Sequence, residues 1–203
     1  MKYIFLALLL FVSSVYGQDS KSIKISEEKK ANRIFLIAEN HSEKDLDVLV
    51  TVEGTGIRQP KGKPRKVRVP AASKVTVKSL IVERGKKPQY TFDLDVSDSL
   101  SRRVIRKPAT PIKIDPKKPI IIYTFDRCTS CDSIIANLDR SYYTYTVKQL
   151  SESPAVDDYM KKALVGTKTP YETLVNPIIN LAGKFYTEIE TYEQLMEAIK
   201  EED

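Results

Sequence analysis

Apolar and polar positions divide this chain into two stretches with different periods. Tyr90, Phe92, Leu94 and Val96 alternate with Thr91, Asp93 and Asp95, the mark of a strand with one wet face. The same short period predicts strands over residues 33–38, 46–52, 65–69, 74–82 and 89–96. A shorter edge strand is expected around Ile23 and Ile25 within 21–28, and a last strand over 102–105. Gly54, Thr55 and Gly56 read as the end of the strand over 46–52. Strands at short intervals, turn residues between them and no helical stretch predict a β-sandwich over residues 18–106.

From residue 120 the period changes. A β-branched run over 120–125 is followed by helical spacing over 128–140, then a strand over 142–148. A helix is expected over 154–164, where Val156, Tyr159, Met160, Ala163 and Leu164 share one face. After a loop over 166–170 come a strand over 177–181, a turn at 182–184, a strand over 185–187 and a helix over 192–200. Residues 107–119 hold four prolines and no glycine, so an extended, stiff linker is expected between the two stretches. At the start, Lys2 precedes an apolar run from Tyr3 to Val12, followed by small and polar residues. This predicts a signal peptide over residues 1–17, cleaved after Gly17, and an exported mature chain in the periplasm or outside the cell. The run is short for a membrane span, and no second one follows; no cysteine lies near the cleavage site for lipid attachment.

At 203 residues the chain has room for two small domains. Its net charge of +6 is unevenly placed: residues 18–118 carry +11 and residues 119–203 carry −6. Arg58, Lys61, Lys63, Arg65, Lys66 and Arg68 lie close together among prolines, which reads as an exposed basic loop. No aromatic platform accompanies it, and an exported chain is a poor nucleic-acid binder; an anionic envelope component or a negative protein surface is the expected partner. Asn40-His41-Ser42 has the spacing of a glycosylation acceptor, and His41 reads as a solvated turn residue.

The candidate chemistry sits where the run over 120–125 ends. Cys128 and Cys131 are the only cysteines, placed between a strand and the start of a helix, where the helix dipole and free N–H groups stabilise a thiolate. Three readings are open: a thiol–disulfide exchange pair, a structural disulfide closing a very small loop, or two ligands of a metal site lacking its other two.

The order β-α-β-α-β-β-α over residues 120–203, with Cys-x-x-Cys after the first strand and Asn176-Pro177-Ile178-Ile179-Asn180-Leu181-Ala182-Gly183 opening a hairpin, resembles the thioredoxin-fold superfamily in its small, glutaredoxin-like form. The resemblance covers residues 120–203 and implies a C-terminal α/β thioredoxin-like fold there. The all-β sandwich expected ahead of it from its strand spacing weakly resembles immunoglobulin-like modules, so the expected fold class is an N-terminal immunoglobulin-like sandwich plus a thioredoxin-like domain. The thioredoxin-like resemblance implies Cys128 as the attacking thiolate and Cys131 as the resolving one, exchanging disulfides with protein thiols and an unidentified redox partner, without metal or organic cofactor. It implies a cis peptide before Pro177, with the Asn176 backbone pairing with substrate. Arg127 is then expected to lower the Cys128 pKa, and Thr129 and Ser130 to tune the potential through their hydroxyls. The chain departs from the family in having no tryptophan and, at 187–191, an acidic stretch without glycine, which disfavours glutathione. The competing expectation is a non-enzymatic envelope binding protein with a thioredoxin-like scaffold and a permanent disulfide.

Overall fold

The computed structural model describes residues 22–60, 62–166 and 169–201. The expected signal peptide over 1–17, Lys61 of the basic loop and the centre of the 166–170 loop lie outside the described residues. The chain forms two compact units. One comprises residues 44–70, 75–109 and the described residues up to Asn40; the other comprises 41–43, 71–74 and the chain from Thr110.

In the first unit, β1 (Ile23–Lys30) and β2 (Arg33–Asn40) form a hairpin. They are followed by β3 (Leu46–Thr55), β4 (Ile57–Arg58), β5 (Val67–Val69), β6 (Ser73–Val82), β7 (Gln89–Ser97) and β8 (Ile105–Arg106). They make two sheets, in the orders β1-β2-β6-β4 and β7-β3-β5-β8. Alternate apolar residues of both sheets, among them Leu36, Val48, Val69 and Leu80, are buried in one core. The two-residue β4 escapes the sequence pattern because it is too short to show a period. β3 runs through Gly54 instead of stopping there: a Cβ at Gly54 would lie 2.2 Å from the Gln89 carbonyl oxygen. Glycine is thus what lets β7 pass, not what ends the strand.

Two polar readings of this unit change with the structure. Asn40 is fully buried, and its Nδ2 donates to the carbonyls of Lys44, Val69 and Pro70, so the acceptor triplet is spent on internal hydrogen bonds. Arg68 is no part of a free basic loop: its Nε and Nη2 lie 2.7 and 3.2 Å from the two carboxylate oxygens of buried Asp47. Lys66 pairs with Asp95 at 3.1 Å.

The second unit opens with β9 (Thr110–Pro111), paired with Ser73 and Lys74. Then come β10 (Ile120–Thr124), α1 (Cys131–Arg140), β11 (Thr146–Gln149), α2 (Pro154–Ala163), β12 (Ile178–Leu181), β13 (Lys184–Tyr186) and α3 (Tyr192–Lys200). The sheet order is β11-β10-β12-β13; only β10 and β11 are parallel. The proline-rich stretch is not a plain spacer. Ile114 is 2% exposed and bridges to Tyr143, while Lys113 Nζ donates to the carbonyls of Leu138, Asp139 and Ser141. A lysine there satisfies orphan carbonyls at the C-terminus of α1 and complements its dipole. The same contacts shorten the strand expected over 142–148, because Tyr142 and Thr144 bond the backbone of Ile114.

The expected fold class is corrected. Strands hold 41% of the described residues and helices 20%, in three sheets with three α-helices. The chain is mostly β, and an α/β thioredoxin-like fold is not indicated. The physical reason is the balance of elements: β1–β8 bring no helix, and the three α-helices of the second unit hold only 9 or 10 residues each, the one expected over 128–140 starting only at Cys131. Nor is any described peptide bond cis, so the cis peptide implied at Pro177 is absent. Among the described residues no helix is long and apolar enough to cross a membrane.

Candidate functional site

β10 delivers the chain from the core to a turn. Tyr123 and Phe125 are still buried, Asp126 and Arg127 are exposed, and Cys128 is half-buried with its N–H on the Phe125 carbonyl at 2.9 Å. Cys131, the first residue of α1, is 4% exposed and is disulfide-bonded to Cys128. The two sulfurs therefore differ in access, one in an open turn and one at the buried start of a helix.

The N-terminus of α1 is not closed by its own cap. Ser130 stands at the N-cap position, but its hydroxyl makes no cap bond; it donates instead to Asn176 Oδ1 at 3.1 Å. First-turn N–H groups beside the disulfide keep their partial positive charge, which favours a sulfur anion. Asp132, also in the first turn, opposes that field in part.

A second segment, residues 171–177, is fastened along the cysteine turn. Thr129 donates to the Val175 carbonyl twice, from its backbone N at 2.8 Å and its Oγ1 at 3.1 Å. Asn176 Nδ2 reaches Glu190 at 3.2 Å. Pro177 is buried just ahead of β12. The structure thus brings Cys128, Thr129, Ser130, Cys131 and Asn176 together. No family model, curated protein or solved structure matches this chain.

Arg127 makes contacts that its sequence position did not announce. Its Nε and Nη2 donate to the carbonyls of Leu174 and Tyr171 at 2.9 and 2.6 Å. Its Cζ lies 4.8 Å from the Phe125 ring centroid and 5.4 Å from that of Tyr171. The guanidinium ties one turn to the other through neutral carbonyls. Beside it opens a cleft of about 420 Å³ lined in part by Arg127, Asp157, Lys161, Tyr171 and Glu172. Hydrogen bonds from Lys161 and Tyr171 hold the Asp157 carboxyl below its usual range. Burial, then the bond to Asp157, pushes the Tyr171 hydroxyl up to about 12. Tyr171, Leu174, Val175 and Glu190 carry no motif; only their approach in space marks them. Among the described residues no group of three or more His, Cys, Asp or Glu side chains is placed to hold a metal ion.

Proposed function

We propose that this protein is an exported thiol–disulfide exchange protein acting on protein thiols through Cys128 and Cys131. The supporting observation is the unequal pair at a helix N-terminus, with Cys128 half-buried in a turn and Cys131 buried as the first residue of α1. A substrate thiolate attacks Cys128 Sγ, the Cys128–Cys131 bond breaks, and Cys131 leaves as a thiolate favoured by the helix dipole. A second substrate thiolate then attacks the substrate sulfur of the mixed disulfide. The substrate is oxidised by two electrons and the pair is reduced. Run backwards, Cys128 attacks a substrate disulfide and Cys131 resolves it. Export rests on the apolar run at the start of the sequence.

The test is an equilibrium redox titration of the pair, together with the alkylation rate of reduced Cys128 against pH. A potential on the order of −120 to −270 mV, with thiolate formed near neutral pH, supports exchange. A potential below about −300 mV without a reactive thiolate makes the pair a structural staple and overturns the proposal.

A further inference from the structure

The first unit holds a cavity of about 170 Å³ between residues 62–65 and the sheets, and its lining is chemically one-sided. Lys63, Arg65, Lys78 and Lys107 all line it, and among the described residues no carboxylate does. Two neighbouring cations are paired instead, Lys66 with Asp95 and Arg68 with Asp47. None of the four cavity cations forms an ion pair with a described residue.

Lys107 is the most constrained of them. Its Nζ donates to the carbonyls of Thr76 and Val77 at 2.9 and 3.2 Å. Burial, with the nearby Lys78 charge, pulls its pKa below the usual lysine value. Two of its three N–H bonds are thus used on neutral acceptors, and no described carboxylate pairs with its positive charge. Beneath the cations the lining is apolar, with Val48, Val50, Val67 and Val77 of the core and Ile105 beside them.

Four cations around one small cavity focus a positive potential, and a dianion answers that better than a monocarboxylate. The apolar floor has no use for bare phosphate. We propose that this cavity binds a phosphate monoester, its phosphate held by Lys63, Arg65, Lys78 and Lys107 and its organic group against the valine floor. The Arg65 fork suits phosphate oxygens; one of its nitrogens already donates to the Arg103 carbonyl at 3.1 Å, which fixes its direction.

The full chain is titrated at low salt with n-butyl phosphate and with inorganic phosphate, by calorimetry and by amide shifts. Butyl phosphate is expected to bind saturably and about tenfold more tightly than inorganic phosphate, from partial burial of its alkyl carbons. Lys63→Gln with Lys78→Gln changes two side chains that make no structural hydrogen bond, so the unit keeps its fold. That double variant is expected to weaken butyl phosphate at least about tenfold. Three results overturn the proposal: no saturation up to about 10 mM, unchanged affinity in the double variant, or equal affinity for the two phosphates.

Discussion

Arg127 separates two ideas of what a basic residue beside a reactive cysteine does. As a charge, it would act at any position near the sulfur, and lysine would replace it. As a fork, it ties the cysteine turn to the 171–174 turn through the Leu174 and Tyr171 carbonyls at 2.9 and 2.6 Å, and lysine cannot span both. Buried hydrogen bonds to a charged donor are worth about 1.5–3 kcal/mol each. Arg127 is exposed, so screening brings each to about 1 kcal/mol. Its contacts with the Phe125 and Tyr171 rings add about 0.5 kcal/mol each. Because one group makes all four contacts they do not sum, and about 2 kcal/mol is expected in total.

The assay is amide hydrogen exchange of β10 and β12 in the oxidised protein, which reads the stability of the second unit alone, for R127M and R127K. R127M is expected to lose about 2 kcal/mol, on the order of 10 °C in Tm for a unit of this size; R127K is expected to recover less than half. Alkylation of reduced Cys128 gives the other arm, because a purely electrostatic role predicts full recovery of thiolate reactivity in R127K. An R127M loss within about 0.5 kcal/mol of zero refutes the clamp.

Arg68→Met leaves buried Asp47 unpaired and is expected to cost about 3–5 kcal/mol, whereas Asp47→Leu with Arg68→Met comes out near neutral; urea unfolding of the set checks this. Burial opposes ionisation of Asp47, but Arg68 and the Ser101 N–H outweigh it and hold its carboxyl below the usual value. That stability is complete above an unfolded pKa of about 3.9 and is lost as pH falls below it, so D47N is expected to flatten the acid limb of a stability–pH curve. Thr191 caps α3 by accepting from the Gln194 N–H at 3.3 Å, while Gln194 Oε1 accepts from the Thr191 N–H at 3.2 Å; T191A is expected to cost about 1 kcal/mol by thermal melting. The raised Tyr171 pKa of about 12 contributes stability that is whole below an unfolded value of about 10 and is lost as pH rises through the folded one. NMR titration of the Tyr171 ring should show that rise, and D157N should reduce it.

Much of the fold was legible because its signals are local. The alternation of Tyr90, Phe92, Leu94 and Val96 is read within one strand, and the structure packs all four against the core. Gly183, at φ +98°, sits in the two-residue turn between β12 and β13 that its sequence position announces. The misreadings share a cause, which is that a distant segment supplied the deciding partner. Gly54 is explained by β7, Asn40 by three carbonyls, Arg68 by Asp47, and Lys113 by the end of a helix 25 residues away. Proline content marked 107–119 as stiff, but could not show that Ile114 is buried or that Thr110 and Pro111 pair as a strand. At the candidate site the cysteines were legible as a spacing; the turn fastened along them was not.

That fastening bears on how any substrate reaches the pair. The resemblance placed substrate recognition in the backbone ahead of Pro177. Here the Val175 carbonyl already holds two donors from Thr129, and the Asn176 side chain is engaged by Ser130 and Glu190. A substrate strand that used the Val175 carbonyl or the Asn176 side chain, rather than the Asn176 backbone, would first have to displace the protein's own turn, losing about as many hydrogen bonds as it made, each worth only about 0.5–1.5 kcal/mol net. Val175 itself is 49% exposed, and its carbonyl is held by Thr129, the neighbour in sequence of half-buried Cys128. Apolar contact there adds to binding without breaking a bond in the site. If the pair exchanges disulfides as proposed, this geometry predicts that choice among thiol substrates follows the side chains flanking the substrate cysteine more than the length of its backbone pairing.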